Sequence, residues 1–126
     1  MEMRSSLAHA RGLGAAKEGV GHWWSQRVTA IALVPLCIWF VFSAIALMGA
    51  DLATFQDWLR PFGNALLMVL LVIVLFYHAY LGMQVVIEDY VSGEAAKVTV
   101  LLIVKFALFV LATSCVMAVI LVAIGG

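Results

Sequence analysis

Residues 62–87 read FGNALLMVLLVIVLFYHAYLGMQVVI, an apolar run without Asp, Glu, Lys or Arg. At a rise of ~1.5 Å per residue, a helix of this length measures roughly 39 Å, against about 30 Å for the hydrocarbon core of a bilayer. Two further apolar runs, residues 28–49 and 98–124, would form helices of roughly 33 and 40 Å. The pattern therefore predicts an all-α membrane protein with three transmembrane helices.

The composition of the chain agrees with that fold class. Of the 126 residues, 66% are hydrophobic and 11% are charged, whereas a soluble domain is nearer half apolar and a quarter charged. The formal net charge is zero, which does not favour a nucleic-acid partner. Cys37 and Cys115 both fall within apolar segments, so we expect small buried residues rather than a disulfide.

The basic residues are distributed unevenly between the two ends of the predicted spans. With three spans, the N-terminal tail and the loop between the second and third spans lie on one side, which carries five basic residues against one opposite. The positive-inside rule then predicts a cytoplasmic N-terminus and a C-terminus outside. We divide the chain into a cytoplasmic tail, residues 1–27, and a three-helix anchor, residues 28–126, and expect residues 1–21 to be extended or partly ordered. The five basic residues are Arg4, Arg11, Lys17, Arg27 and Lys97, and the single one is Arg60.

His78 is the histidine that falls inside a predicted span, where an ionisable group is costly enough to suggest a function. Three roles fit it: an axial ligand of haem iron, a proton-relay group, or a neutral histidine bonded to a neighbouring helix. Gly82, one turn later, leaves space for a flat macrocycle. Viewed down the helix axis, Asp89 lies within about 20° of His78, and it is roughly 16 Å further along the axis. The predicted spans contain no second histidine, so a haem with two protein ligands would take the other from another chain.

Two stretches of the sequence resemble a known family. The run FYHAYLGMQVVIEDYV, residues 76–91, resembles the second helix of the small anchor subunit of succinate dehydrogenase (respiratory complex II), in which H-A-x-x-G-M is followed by D-Y-V. The run GHWWSQRVTAI, residues 21–31, is similar to the beginning of that family's first helix, with its R-x-T-A-I pattern. Length, number of spans and orientation also agree, so the resemblance to this D subunit covers nearly the whole chain.

The resemblance implies roles for four residues. His78 matches an axial ligand of haem b, which is held between this subunit and a larger anchor subunit that supplies the second ligand. Arg27 matches a basic residue near the haem propionates. Tyr90 matches the tyrosine that hydrogen-bonds a carbonyl of ubiquinone, and Asp89 matches the acidic neighbour that supports the quinone pocket.

The function that the resemblance implies is that of a bacterial membrane anchor of succinate:ubiquinone oxidoreductase, located in the cytoplasmic membrane. Such a chain is not catalytic on its own. It has no nucleotide motif and no cysteine cluster, so flavoprotein and iron–sulfur partner subunits would oxidise succinate and deliver electrons to ubiquinone near the cytoplasmic surface. Fumarate reductase anchors are related in outline.

Simpler interpretations of the same residues stay open at this stage. Arg27 also fits a positive-inside charge, Tyr90 an interfacial aromatic residue, and Asp89 a solvated helix end. Lys105 is expected to extend toward the cytoplasmic surface or to contact a partner, and His22 is assigned no role.

The alternative function is a non-redox structural or assembly subunit. Its three helices would pack against partner helices, with Gly63, Gly82 and alanine-rich stretches allowing close approach. A proton channel built on His78 and Asp89 is disfavoured, because Gly82 and Val85 interrupt the polar stripe between them.

Overall fold

The structure is a computed structural model that describes the backbone of residues 9–125 and the side chains of residues 20–125. The described part is helical, without strands, and its long helices are joined by short connections. The predicted all-α fold with three spans is confirmed, because α1 from Val20 onward, α3 and α4 are each long and apolar enough to cross a bilayer. The four helices are α1 (His9–Ala46), α2 (Leu52–Leu59), α3 (Phe62–Tyr90) and α4 (Glu94–Ala123).

Helix α1 is longer than the first predicted span. It begins at His9 rather than at residue 28, so residues 9–21, which we expected to be extended or partly ordered, are helical. Alanine, leucine, lysine and glutamate, which are good helix formers, occur in this stretch. Extending an existing helix also costs far less than nucleating a new one. The first eight residues of the predicted tail lie outside the described residues.

The connection between the first two spans contains a short helix, α2, that the sequence pattern did not predict. Asp51 is its N-cap, because Oδ1 accepts a hydrogen bond from the Thr54 backbone N–H at 2.9 Å. Hydrogen bonds from the side chain and the backbone of Thr54 lower the pKa of Asp51. At the other end of α2, Leu59 is 1% exposed and Trp58 stacks on Trp39 of α1, with 5.7 Å between ring centroids. These contacts hold α2 against the bundle.

Helix α3 is the central helix of the described fold. It packs against α1 on one side and α4 on the other, whereas α1 and α4 make no backbone contact with each other across residues 9–125. Few side chains are therefore buried: α3 contributes Leu71, Leu81 and Ile87, and α4 contributes none. The remaining apolar faces suit lipid tails or the helices of a partner.

Leu59 supports a prediction about stability. Replacing Leu59 with Ala should lower the free energy of unfolding by about 2–5 kcal/mol, because a fully buried leucine loses packing on every side. Leu52→Ala is the matched control on the same helix, since Leu52 is 66% exposed. Unfolding of the purified, detergent-solubilised protein in a denaturant series would measure both, and equal effects would contradict the packing of α2 described here.

Candidate functional site

His78 lies twelve residues before the end of α3, on the side that meets α1. Its Nδ1 is 2.8 Å from Oγ1 of Thr29. Thr29 is 7% exposed, and its hydroxyl also lies 2.7 Å from the Ser25 carbonyl oxygen and 3.0 Å from that of Gln26. A polar contact therefore joins the first two spans at the depth of the histidine.

A cavity of about 300 Å³ opens beside this contact, between α1 and α3. A Cβ atom built on Gly82, one turn after His78, would meet no heavy atom within 4 Å. The backbone of α3 can therefore be approached closely there, as the sequence pattern predicted. The cavity is lined by Trp23, Gln26, Arg27, Ala30 and His78.

The cavity wall carries one fixed cation and one polar group without a partner. The Cζ atom of Arg27 lies 5.1 Å from the centroid of the Trp23 ring, a cation–π distance that holds the guanidinium at the wall. Oε1 of Gln26 is buried and has no hydrogen-bond partner among the described residues, and the same is true of Nε2 of His22 one turn earlier. Buried polar atoms are nearly always paired, so the Gln26 amide calls for a polar group or a water in the cavity.

These residues fit the chemistry of a haem. Within residues 20–125 no three His, Cys, Asp or Glu side chains are grouped so as to hold a metal ion, but haem iron needs only axial ligands from protein. His78 has an imidazole that could bind the iron, and the Trp23 ring and Ala30 form an apolar surface for the macrocycle. Arg27 provides a cation for a propionate. The unpaired Oε1 of Gln26 is an acceptor, so it would take a hydrogen bond from a donor such as a water and not from the anionic propionates. The donor set therefore suits a macrocycle that is apolar at its faces and anionic at one edge.

Asp89 and Tyr90 lie apart from this cavity, in the last turn of α3. Residue 90 is twelve positions after His78, which corresponds to roughly 18 Å along the helix. Tyr90 is 83% exposed, and Asp89 is also exposed. Of the four predicted site residues, the structure thus brings His78 and Arg27 together and leaves Asp89 and Tyr90 as a separate pair on the surface of the chain.

A larger cavity of about 510 Å³ lies on the other side of α3, in the groove between α3 and α4. Its lining is almost wholly apolar, with Tyr77, Tyr80 and the exposed Lys105 among the residues that border it. It suits an acyl chain or an apolar side chain rather than a charged ligand, and His78 does not line it.

Four residues of the site received no role at the cavity from sequence reasoning, and these are Trp23, Gln26, Thr29 and Ala30. All four belong to the run of residues 21–31 that resembles the start of the family's first helix, but the sequence alone did not place them beside His78. The depth of each residue in the bilayer was the signal that could have linked Thr29 to His78. Thr29 lies nine residues into the α1 span, and His78 lies twelve residues before the end of α3. Because successive spans are antiparallel, these positions are roughly 14 and 18 Å from the same end of the bundle.

Comparison with known proteins supports the assignment made from the two motifs. The profile of the succinate dehydrogenase/fumarate reductase transmembrane subunit family matches residues 1–124. The chain belongs to this family. It is therefore a transmembrane subunit of the succinate dehydrogenase/fumarate reductase family, and its three long apolar helices agree with a multi-pass membrane protein. Relatives of similar length are anchor subunits of succinate dehydrogenase.

Three relatives illustrate how far the similarity extends. The succinate dehydrogenase hydrophobic membrane anchor subunit of Rickettsia bellii is 38% identical over 104 residues, covering 82% of this chain and 83% of the relative. That of Paracoccus denitrificans is 37% identical over 108 residues, with coverages of 83% and 81%. The succinate dehydrogenase membrane anchor subunit of Reclinomonas americana is 32% identical over 92 residues, with coverages of 71% and 77%. No solved structure gives a significant match.

Proposed function

We propose that this chain anchors a succinate:ubiquinone oxidoreductase in the membrane, contributes one axial ligand to haem b and forms part of the ubiquinone site. The observation that carries the proposal is the arrangement at His78. Its Nδ1 contacts Thr29, and the ring borders a cavity that Arg27 also lines. Family membership supplies the context, because the relatives named above are anchor subunits of succinate dehydrogenase.

The haem would be held at the α1–α3 cavity. His78 would bind the haem iron from this chain, and the Arg27 guanidinium would form charge-assisted hydrogen bonds with the propionates. When bound, the haem supplies one-electron redox chemistry. His22 also falls within the α1 span, but it lies seven residues before Thr29, the residue in contact with His78, which is roughly 10 Å along the helix. We therefore assign the second haem ligand to the larger anchor subunit.

The quinone would bind at the end of α3, where Tyr90 and Asp89 are exposed. The Tyr90 hydroxyl donates a hydrogen bond to a quinone carbonyl and so stabilises the negative charge that develops on the oxygen during reduction. Asp89 lies beside it as an acidic group that supports the pocket and the delivery of protons. Iron–sulfur and flavoprotein subunits would dock at this end, oxidise succinate and supply the two electrons that convert ubiquinone to ubiquinol.

The orientation that serves this chemistry places Tyr90 at the cytoplasmic surface of a bacterial cytoplasmic membrane. The excess of basic residues on the N-terminal side supports it. The single basic residue of the opposite connection, Arg60, is paired with Asp57.

A second candidate, a non-redox packing subunit, also has an observation in its favour. A Cβ atom built on Gly63 or Gly82 would meet nothing within 4 Å in this chain. Both glycines are therefore free for a partner helix to approach. The haem spectrum distinguishes the two functions, because a packing subunit carries no redox group.

The first prediction concerns His78. In the purified membrane complex, His78→Ala should remove most of the b-type signal from the reduced-minus-oxidised absorption spectrum, because the iron loses an axial ligand. Tyr77→Phe is the matched control: it changes the preceding residue, which lines the other groove, and should keep the signal. An unaltered spectrum in His78→Ala, or a native complex without haem, would refute the ligand assignment.

The second prediction concerns Tyr90. Tyr90→Phe should lower the quinone reductase rate by about tenfold or more, because one hydrogen-bond donor to the developing charge is lost, while the haem absorbance stays normal. Quinone-dependent succinate oxidation measures the rate, and electron transfer to a dye that bypasses the quinone site should be unchanged. Native quinone kinetics in this variant would exclude Tyr90 from the site.

The third prediction concerns orientation. Alkaline phosphatase fused after Ile124 should be active, because the enzyme folds only outside the cytoplasm, whereas the same reporter fused within the α3–α4 connection at Ser92 should be inactive. A green fluorescent protein fused at the same two points should give the reverse pattern. The opposite outcome would place Tyr90 on the outer surface and separate it from the proposed electron donors.

A further inference from the structure

Thr29 stands out because it is a buried polar residue inside a membrane span and has no role in the function proposed so far. It is 7% exposed, and its hydroxyl lies within hydrogen-bond distance of three groups. These are the carbonyl oxygens of Ser25 and Gln26, at 2.7 and 3.0 Å, and Nδ1 of His78, at 2.8 Å. A hydroxyl has one proton to donate, so these three contacts restrict where that proton lies.

The carbonyl oxygens can only accept hydrogen bonds. The arrangement that satisfies every group has the Thr29 hydroxyl donating to the Ser25 carbonyl oxygen, with the Gln26 carbonyl sharing the same proton, and Oγ1 accepting from Nδ1–H of His78. If Nδ1 carried no proton, three acceptors would compete for one hydroxyl proton, and at least one buried contact would be unfavourable. The geometry therefore favours the His78 tautomer with its proton on Nδ1.

We infer that Thr29 is a positioning residue that holds His78 in the Nδ1–H tautomer and orients the ring, so that the lone pair of Nε2 is available to a metal on the side of the cavity. The inference rests on the proposed function, because it names the group that sets the geometry of the proposed haem ligand. Among the side chains described between residues 20 and 125, none forms a hydrogen bond with Nε2 of His78, whose one such contact joins Nδ1 to Thr29.

The contact also links the imidazole to a backbone dipole. Through the Thr29 hydroxyl, Nδ1–H is connected to the Ser25 carbonyl oxygen of α1. A hydrogen bond that polarises Nδ1–H increases the electron donation of the ligand nitrogen, and such partners of metal-bound histidines affect metal affinity by about 10- to 100-fold. Stronger donation stabilises the oxidised iron, so losing the hydroxyl should raise the reduction potential of the haem.

The test compares three substitutions in the intact complex. Thr29→Val keeps the shape of the side chain and removes the hydroxyl; Thr29→Ser keeps the hydroxyl. Thr99→Val is the matched control, since Thr99 also donates to the carbonyl four residues earlier, Ala95, at 2.8 Å, but is exposed on α4. The readouts are the midpoint potential of the haem, the electron paramagnetic resonance spectrum of the oxidised iron, and haem retention during dilution.

Thr29→Val should raise the midpoint potential, shift the low-spin resonance signal and weaken haem retention by about 10- to 100-fold. Thr29→Ser and Thr99→Val should both match the native protein. If Thr29→Val does not assemble, Thr29→Ala removes the hydroxyl without adding bulk, and the same potential measurement applies.

Two results would overturn the inference. A native potential and resonance spectrum in the variants without the hydroxyl would show that Thr29 does not act on the ligand. Equal changes in Thr29→Ser, which keeps the hydroxyl, and Thr29→Val, which removes it, would show that packing around residue 29 and not the hydroxyl controls the haem. Both results apply only if the native complex contains haem and His78→Ala loses it. If the native complex has no haem, or if His78→Ala keeps the haem, the proposed function itself has failed, so the two kinds of failure are distinguishable.

Discussion

A single hydrogen bond in the apolar interior, between Thr29 of α1 and His78 of α3, determines how the first two spans meet. Hydrogen bonds between membrane helices contribute only about 0.6 kcal/mol on average, so this contact does not hold the bundle together. Leaving a buried hydrogen-bonding group unsatisfied costs more, about 1–3 kcal/mol. Sliding α1 by one turn, about 5.4 Å, would break it and leave Nδ1–H of His78 unpaired, whereas the Thr29 hydroxyl would keep its bond to the Ser25 carbonyl oxygen. The hydrogen bond therefore selects one register from several similar apolar packings.

That register places the other site residues. With Thr29 opposite His78, the preceding two turns of α1 bring Trp23, Gln26 and Arg27 to the edge of the same cavity. Arg27 lies over the Trp23 ring and so keeps its charge at the wall rather than in hydrocarbon. The cavity is open on one side, and α1 and α4 leave most of their apolar surface uncovered. In the proposed complex, a neighbouring chain would complete this site at the edge of the three helices.

The two proposed functions of α3 are separated along one helix. His78 lies in the apolar interior, where the imidazole can be held against a second helix, whereas Tyr90 and Asp89 lie in the last turn, where water and protons are available. Roughly 18 Å of helix separates them. A quinone needs protons when it is reduced and a haem does not, so placing the quinone contacts at the surface and the ligand at depth suits both reactions.

The sequence by itself determined the fold class and two of the residues that line the cavity, His78 and Arg27. Apolar runs longer than a bilayer is thick force helices, because backbone groups in hydrocarbon must be paired within the segment, and the spacing around His78 carried the family resemblance. Tertiary structure decided the rest. The partnership of Thr29 with His78 depends on the register between α1 and α3, which hydropathy does not encode since lipid and leucine are equally apolar. The helical start at His9 and the short helix α2 reflect helix extension and the Asp51 cap, local effects that a search for long apolar runs does not detect.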